Sequence, residues 1–384
     1  MIDRKLLPVL KKQVGKYPVS YITGPRQSGK TTLLKATFPE YNYLNLERPN
    51  HRRLAQEEPE AFLLQHKGPL IIDEAQYAPE LFSYLQVIVD ESGEKGQYIL
   101  CGSQNFLLND QISQSLAGRV GIFTLLPFSY NEMQGTEFEP ENLDQLLFKG
   151  CYPRLYQDKL EPGEWIPFYI QTYLERDVRS IINLKSLSNF QRFIRVCAAR
   201  TGQVVNLSQI ARDVGITTPT ATEWLSVLES SYLVYLLKPY YNNFTKRITK
   251  SPKLYFYDTG LVCWLLGIQS AEQLQESSIR GALFENFALN ELQKLRYNRF
   301  QLPQMYYWRE HAGHEIDCLL EEEGMLKAIE IKAGQHIKSE FFKQLNYWKK
   351  LRKEEANNYL IYGGNENLLG EKAKVVGWKR LGHI

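Results

Sequence analysis

The chain has 384 residues, which at roughly 150 residues per domain predicts two or three domains rather than one. Apolar residues make up 43% and charged residues 23%, enough for well-packed cores and too apolar for a disordered chain. A net charge of +3 and a pI near 8.4 permit nucleic-acid contact without demanding it. Cys101, Cys151, Cys197, Cys263 and Cys318 form no C-x-x-C pair, the pattern of reduced thiols in a cytoplasmic protein. The segment Met1–Pro8 lacks the apolar core of a signal peptide, and no run of about 18 apolar residues predicts a membrane span.

Residues 1–130 alternate short apolar runs with helical patterns, the mark of an α/β layer fold. Strands are expected at Val19–Thr23, Tyr43–Leu46, Leu70–Asp73, Gln97–Gly102 and Gly121–Leu125. Between the first strand and the helical run Thr32–Ala36 stands Gly24-Pro25-Arg26-Gln27-Ser28-Gly29-Lys30-Thr31. It matches the phosphate-loop pattern G-x-x-x-x-G-K-[ST] in the strand–loop–helix context that its chemistry requires. Loop N–H groups and a helix N-terminus face a polyphosphate, and glycines let the backbone wrap closely. Lys30 supplies a cation for the outer phosphates, Thr31 a hydroxyl for magnesium, and Thr32 continues the binding set. ATP and Mg2+ are the expected ligands.

The strand Leu70–Asp73 ends in two carboxylates. Asp73 is placed to organise magnesium beside Thr31, and Glu74 to polarise an attacking water. The next strand runs into Ser103-Gln104-Asn105. In additional-strand ATPases such a strand lies between the two motif strands, so a polar tip there, Ser103 foremost, can contact the γ-phosphate. Phosphoryl transfer also calls for an arginine, in cis or from a neighbouring subunit. Arg119, just before the fifth strand, is the first candidate; Arg154 and Arg176 are weaker ones that also read as surface or ion-pair residues.

Residues 131–185 read as a helical extension. In 186–275, Leu207–Ile216 reads as a short helix closed by Gly215, and Thr217–Glu229 as a second helix opened by a Thr cap before Pro219. This is the helix-turn-helix pattern, and the apolar stretch Tyr232–Leu237 suits the first strand of a wing. The second helix carries Thr, Ser and Glu but no Arg or Lys, so it reads equally as a packing helix. The basic run Lys246–Lys250 reads as phosphate contacts or as a solvated loop. In 276–384 a helix opens at Gly281, followed by strands Met305–Arg309, Ile316–Glu321 and Leu326–Ile331. Strand alternation puts Glu330 and Lys332 on one face. Asp317, Glu330 and Lys332, with Glu285 from the helix, form a set that can share magnesium and cleave phosphodiesters. The same spacing also occurs on ordinary amphipathic hairpins.

On Gly24–Thr32, Leu70–Gln76, Gly102–Leu108, Leu116–Val120, Gly150–Arg154, Tyr173–Val178, Ser251–Gly260, Gly281–Phe287 and His314–Lys332, the chain resembles AAA-type ATPases that carry a C-terminal DUF4143 domain. The resemblance implies an ATPase core with a central parallel sheet, a winged-helix middle and an end similar to the PD-(D/E)xK nucleases. Lys30, Thr31, Asp73 and Glu74 match the ATPase motifs; Asp317, Glu330 and Lys332 match the nuclease-like one. Gln104 departs from the family, where a second serine is common. The expected fold class is thus α/β, with a P-loop core at 1–130, a helical extension at 131–185, a winged-helix-like domain at 186–275 and a restriction-endonuclease-like domain at 276–384. The expected function is ATP hydrolysis acting on or with DNA, by a chain that is a candidate homo-oligomer and has no membrane partner. The alternatives are a nucleotide-dependent switch with little turnover and an ATP-regulated, metal-dependent nuclease.

Overall fold

The computed structural model describes residues 2–66, 68–103, 116–173, 186–240, 251–310, 312–352, 357–370 and 373–384. Gln104, Asn105, Arg176 and the basic run 246–250 lie outside the described residues. The chain forms two compact units, each built from three separate stretches.

The first unit comprises Met1–Phe128, Ser230–Tyr232 and Arg296–Gln301. Its strands are β1 (Val19–Thr23), β2 (Asn42–Asn45), β3 (Leu70–Asp73), β4 (Tyr98–Gly102) and β5 (Val120–Thr124). All are parallel, in the order β2-β3-β4-β1-β5. The strand β4 therefore lies between the two motif strands, as expected. Successive residues of a strand face opposite sides, and both sides here are covered. Val19, Tyr21, Leu70, Ile72 and Leu100 pack with Phe62, Phe82 and Leu85. Ile22, Ile71, Ile99, Cys101 and Phe123 pack on the other side with Leu6, Leu10, Leu33 and Leu34. That two-sided burial explains why these strands read as continuous apolar runs. Because every strand runs the same way, Thr23, Asp73 and Gly102 all end at one edge, where open parallel sheets hold their ligands.

Two late stretches complete this unit. The Tyr232 hydroxyl is hydrogen-bonded to Thr23 Oγ1 at 3.0 Å. Phe300 stacks on Phe123 with ring centroids 4.6 Å apart and meets Tyr17 edge-on.

The second unit comprises Ser129–Glu229, Leu233–Leu295 and Leu302–Ile384. Helices Leu187–Ala199, Leu207–Val214 and Thr218–Ser230 precede an antiparallel pair, β6 (Val234–Leu237) and β7 (Lys253–Phe256). Gly215 ends the middle helix in the left-handed region, at φ 82°, and Thr217 Oγ1 accepts from the Thr220 N–H at 3.3 Å. Glycine and threonine thus make the tight turn that the sequence predicts. The outward residues of the third helix are Thr218, Pro219, Thr222, Glu223 and Ser226, with no basic side chain.

A six-stranded sheet follows, of β8 (Met305–Arg309), β9 (Glu315–Glu322), β10 (Met325–Lys332), β11 (Asn357–Tyr362), β12 (Leu368–Leu369) and β13 (Lys374–Gly377). Its order is β12-β13-β11-β10-β9-β8; β8, β9 and β10 are antiparallel, whereas β10, β11 and β13 are parallel. Helix Lys343–Arg352 covers it with Leu345 and Trp348, which pack on Trp308, Leu319, Ala328 and Leu360.

The stretches Gly150–Arg154 and Ser251–Gly260 meet in this unit. Buried Asp258 accepts the Cys151 N–H at 2.6 Å and caps helix Thr259–Leu265 through the Leu261 N–H at 3.2 Å. Gly150 sits at φ +75°, and a Cβ there would lie 2.2 Å from Asp258 Oδ1. This part of the signature is a packing lock. Burial, opposed by these backbone donors, pushes the Asp258 carboxyl up to about 6. The five cysteines are buried, and none forms a disulfide. Among the described residues no helix is long and apolar enough to cross a membrane.

Candidate functional site

The phosphate loop joins β1 to helix Lys30–Thr37. Gly24 has φ +145°, and a Cβ there would lie 2.1 Å from the Leu125 carbonyl oxygen. Only glycine lets the chain leave the sheet so close to its neighbour. Gly29, at φ +95°, turns the chain into the helix, whose free N–H groups then point at the loop. Lys30 is buried, and its Nζ donates to the carbonyls of Gly24 and Pro25, each at 2.8 Å. Burial lowers its pKa, against the pull of Glu74 and Asp73. Arg26 and Thr31 are half-buried; Gln27 and Thr32 are exposed.

At the end of β3, Thr31 Oγ1 donates to Asp73 Oδ2 at 2.8 Å. Tyr43, the second residue of the neighbouring β2, donates its hydroxyl to the same oxygen at 2.6 Å. The Glu74 N–H donates to Asp73 Oδ1 at 3.1 Å. Asp73 is therefore fixed by three donors next to the helix N-terminus. A hydroxyl and a carboxylate so placed are hard oxygens that fit magnesium. Glu74 has φ 56°, the left-handed region that non-glycine residues seldom adopt. That geometry lifts its side chain off the strand, and Gln76 Nε2 donates to its Oε2. Burial raises the Glu74 pKa, while Lys30 and Arg26 hold it back.

Ser103 directly follows β4 at this edge. It is buried, and among the described residues its hydroxyl has no hydrogen-bond partner. The structure thus brings Lys30, Thr31, Asp73, Glu74 and Ser103 to one edge of one sheet.

Arg119 is not among them. It precedes β5, and its carbonyl accepts the N–H of Val19, the first residue of β1. It therefore stands at the opposite edge from Thr23, roughly 13 Å away along four strand residues. Its guanidinium forms a fork with Asp90, at 2.5 and 2.8 Å. The reason is topological: a residue before a parallel strand lies at the edge away from the ligand.

The sequence reading missed three neighbours of the loop. Tyr43 and Gln76 hold the two carboxylates. Arg4 is buried behind the loop and donates to the Ser28 carbonyl at 2.7 Å and to the Leu126 carbonyl at 2.6 Å, with its guanidinium over the Phe128 ring. Nothing in the spacing links residue 4 to the loop; the contact exists only after folding.

The predicted C-terminal set also comes together, within the second unit. Lys332 Nζ lies 2.6 Å from Glu330 Oε1 and 3.5 Å from Asp317 Oδ2. Glu285 faces them from helix Arg280–Asn298, and its carboxylate feels both Asp317 and Lys253. Three further members were not foreseen. Lys253 of β7 pairs with Glu285 at 3.1 Å and with Glu315 of β9, and Tyr255 donates to Glu285. Alternation along β7 puts Lys253 and Tyr255 on one face, a signal present in the sequence. Among the described residues, no group of three or more acidic, histidine or cysteine side chains is arranged to hold a metal. Arg154 pairs with Asp158 one helical turn away, at 3.0 Å on the surface.

Comparison with known proteins adds the family. An AAA domain model matches residues 16–134, and two domains of unknown function, DUF8612 and DUF4143, match residues 140–272 and 280–381. Uncharacterized protein Rv2008c of Mycobacterium tuberculosis is 32% identical over 329 residues, covering 84% of this chain and 72% of that one. Uncharacterized protein Mb2031c of Mycobacterium bovis gives the same figures, 32% over 329 residues with 84% and 72% coverage. Among solved structures, the Walker-type ATPase PABY2304 of Pyrococcus abyssi is 16% identical, covers 69% of this chain and 96% of its own, and has a TM-score of 0.48. With its phosphate-loop core and its C-terminal sheet, the chain belongs to the family of AAA-domain ATPase-fold proteins that carry a C-terminal DUF4143 domain.

Proposed function

We propose that the chain binds ATP with magnesium at Gly24–Thr32 and hydrolyses it. One observation carries this reading: Thr31, Asp73 and Glu74 meet beside the helix N-terminus, with Lys30 lying over the loop. Thr31 and Asp73 would hold the magnesium, which when bound supplies charge neutralisation at the phosphates. The Lys30 ammonium turns from the loop carbonyls to the outer phosphate oxygens. Glu74 takes a proton from the attacking water, and its raised pKa brings it closer to the working pH of a general base. Ser103 offers its hydroxyl to the γ-phosphate side. Arg119 cannot serve this site from within the chain; in a homo-oligomer it would serve a neighbour's, which light scattering with and without an ATP analogue tests. The decisive experiment compares phosphate release by the wild type and by Glu74→Gln. A loss of about 100-fold or more is expected from removing a general base, and equal rates would refute the assignment.

The contact between Gln76 and Glu74 favours a second reading, a nucleotide-dependent switch with little turnover. It restrains the base away from a water. Nucleotide retained through purification with negligible phosphate release would select the switch.

The three helices followed by the β6–β7 pair suit a winged-helix segment and DNA as the partner of the cycle, in a cytoplasmic protein. The polar, non-basic outward face of helix Thr218–Ser230 argues for weak, non-sequence-reading contacts there. Fluorescence anisotropy with duplex DNA, with and without nucleotide, tests that partner.

A further inference from the structure

The charged cluster of the second unit is assembled from four elements: Lys253 from β7, Glu285 from helix Arg280–Asn298, Glu315 and Asp317 from β9, and Glu330 and Lys332 from β10. A nuclease of the type that the end of the chain resembles would hold a divalent metal on such carboxylates. The residues present do not fit that ion. The Lys253 side chain is only 4% exposed, and its ammonium lies between Glu285 and Glu315. The oxygen of Glu285 that it takes also accepts the Tyr255 hydroxyl. Lys332 occupies Glu330 Oε1 and lies near Asp317 Oδ2, which already accepts the Ile331 N–H at 2.8 Å. One buried oxygen, Glu330 Oε2, has no partner among the described residues. Magnesium is usually held by one or two carboxylates plus waters, and here an ammonium already sits against each carboxylate that would supply them.

The energetics run the same way. An ion taken out of water unpaired costs several kcal/mol. Lys253 and its two glutamates resolve that cost mutually: burial works against the ammonium, and Glu285 and Glu315 override it and hold its pKa up. Removing Lys253 would leave Glu285 without its cation and Glu315 with only Arg309, at 3.5 Å, the condition under which a divalent cation gains most.

We propose that Lys253 is the built-in counter-ion of this cluster, standing where a divalent metal would otherwise be held, so that the cluster is closed to metal while Lys253 is in place. The C-terminal unit then works as a metal-free module, and phosphodiester cleavage is not its task. The proposal does not rest on the ATPase reading.

Manganese binding to the full chain without nucleotide tests it, read by electron paramagnetic resonance so that no activity is needed. The wild type and Asp317→Asn should bind the same number of ions. Lys253→Gln should gain one manganese per chain, and that site should vanish in the Lys253→Gln/Asp317→Asn double variant. Any ion held at Asp73 is common to all four proteins and drops out of the comparison. A wild-type site that Asp317→Asn abolishes would overturn the proposal, as would a folded Lys253→Gln that gains nothing. If Lys253→Gln does not fold, the wild type and Asp317→Asn decide alone: equal counts uphold the proposal and a lost site refutes it.

Discussion

Lys30 and Lys253 are both nearly fully buried, in different units, and their charges have opposite fates. Lys30 is held by two neutral carbonyls, and burial lowers its pKa. Lys253 is held by two carboxylates, which raise its pKa against the same penalty. The first charge is uncommitted and free to meet an anion. The second is spent inside the protein. Burial of a lysine therefore says little about ligand binding until its partners are named: carbonyls leave a site open, and carboxylates close it.

The largest expected effect on this contrast is at the open lysine. Lys30→Met should lower affinity for a fluorescent ATP analogue by about 100-fold or more, since it removes the buried cation that lies over the phosphate loop. A variant that binds within a few-fold of wild type would erase the distinction between the two lysines.

A smaller effect is expected behind the loop. Arg4→Ala strands two buried carbonyls, Ser28 and Leu126, at about 1–3 kcal/mol each if neither finds water. Nucleotide affinity should fall roughly 10-fold, for about 1.4 kcal/mol of lost loop order. Arg4→Lys should recover part of the affinity by reaching one carbonyl. Thermal melting run alongside separates the two roles: a melting point lowered equally in both variants while affinity recovers only in Arg4→Lys marks a positioning residue. Unchanged affinity in Arg4→Ala would show that the loop holds itself.

The smallest effect concerns a carboxylate that is neither open nor paired with a lysine at hydrogen-bond distance. Asp258 has a folded-state pKa of about 6, above the ordinary aspartate value of about 3.9. A folded acid with a raised pKa binds its proton more tightly than the unfolded chain does. Its contribution to stability is therefore fully present below about pH 4 and is lost as pH rises through about 6. Asp258→Asn should lower the melting temperature by a few degrees, through the lost backbone acceptor, and should flatten its pH dependence between those limits. An unaltered pH profile would show that other groups dominate.

Much of the ATPase side was legible because it depends on local order. The loop, its strand and its helix are contiguous, and Asp73 and Glu74 end their own strand, so motif and position coincide. The strands Val19–Thr23, Leu70–Asp73 and Met305–Arg309 have the same limits in sequence and structure. The others differ by a residue or so, since apolar runs say where a strand is and hydrogen bonds say where it stops. Arg119 was misplaced because an arginine near a strand says nothing about which end until the sheet is known to be parallel. Arg4, Tyr43 and Lys253 were missed for another reason: each acts at a distance in sequence, across 24, 30 and 32 positions to Ser28, Asp73 and Glu285. The signature run Ser251–Gly260 was visible as a pattern, but only the fold separates its roles. Asp258 and Gly260 serve packing, and Lys253 serves the charged cluster.

The interleaving of the two units has a consequence for synthesis. The first unit is complete only with Tyr232, hydrogen-bonded to Thr23, and Phe300, stacked on Phe123. Some 170 residues separate Phe128 from Gln301. At about 5–20 residues per second, a ribosome needs on the order of ten to thirty seconds to deliver them. Until Tyr232 and then Phe300 arrive, Thr23 lacks that hydrogen bond and Phe123 that stacking partner. A chain stalled or clipped before Arg296 would retain every ATPase motif and still lack a finished unit. Motif content alone therefore does not define the smallest piece of this protein that can form the first unit.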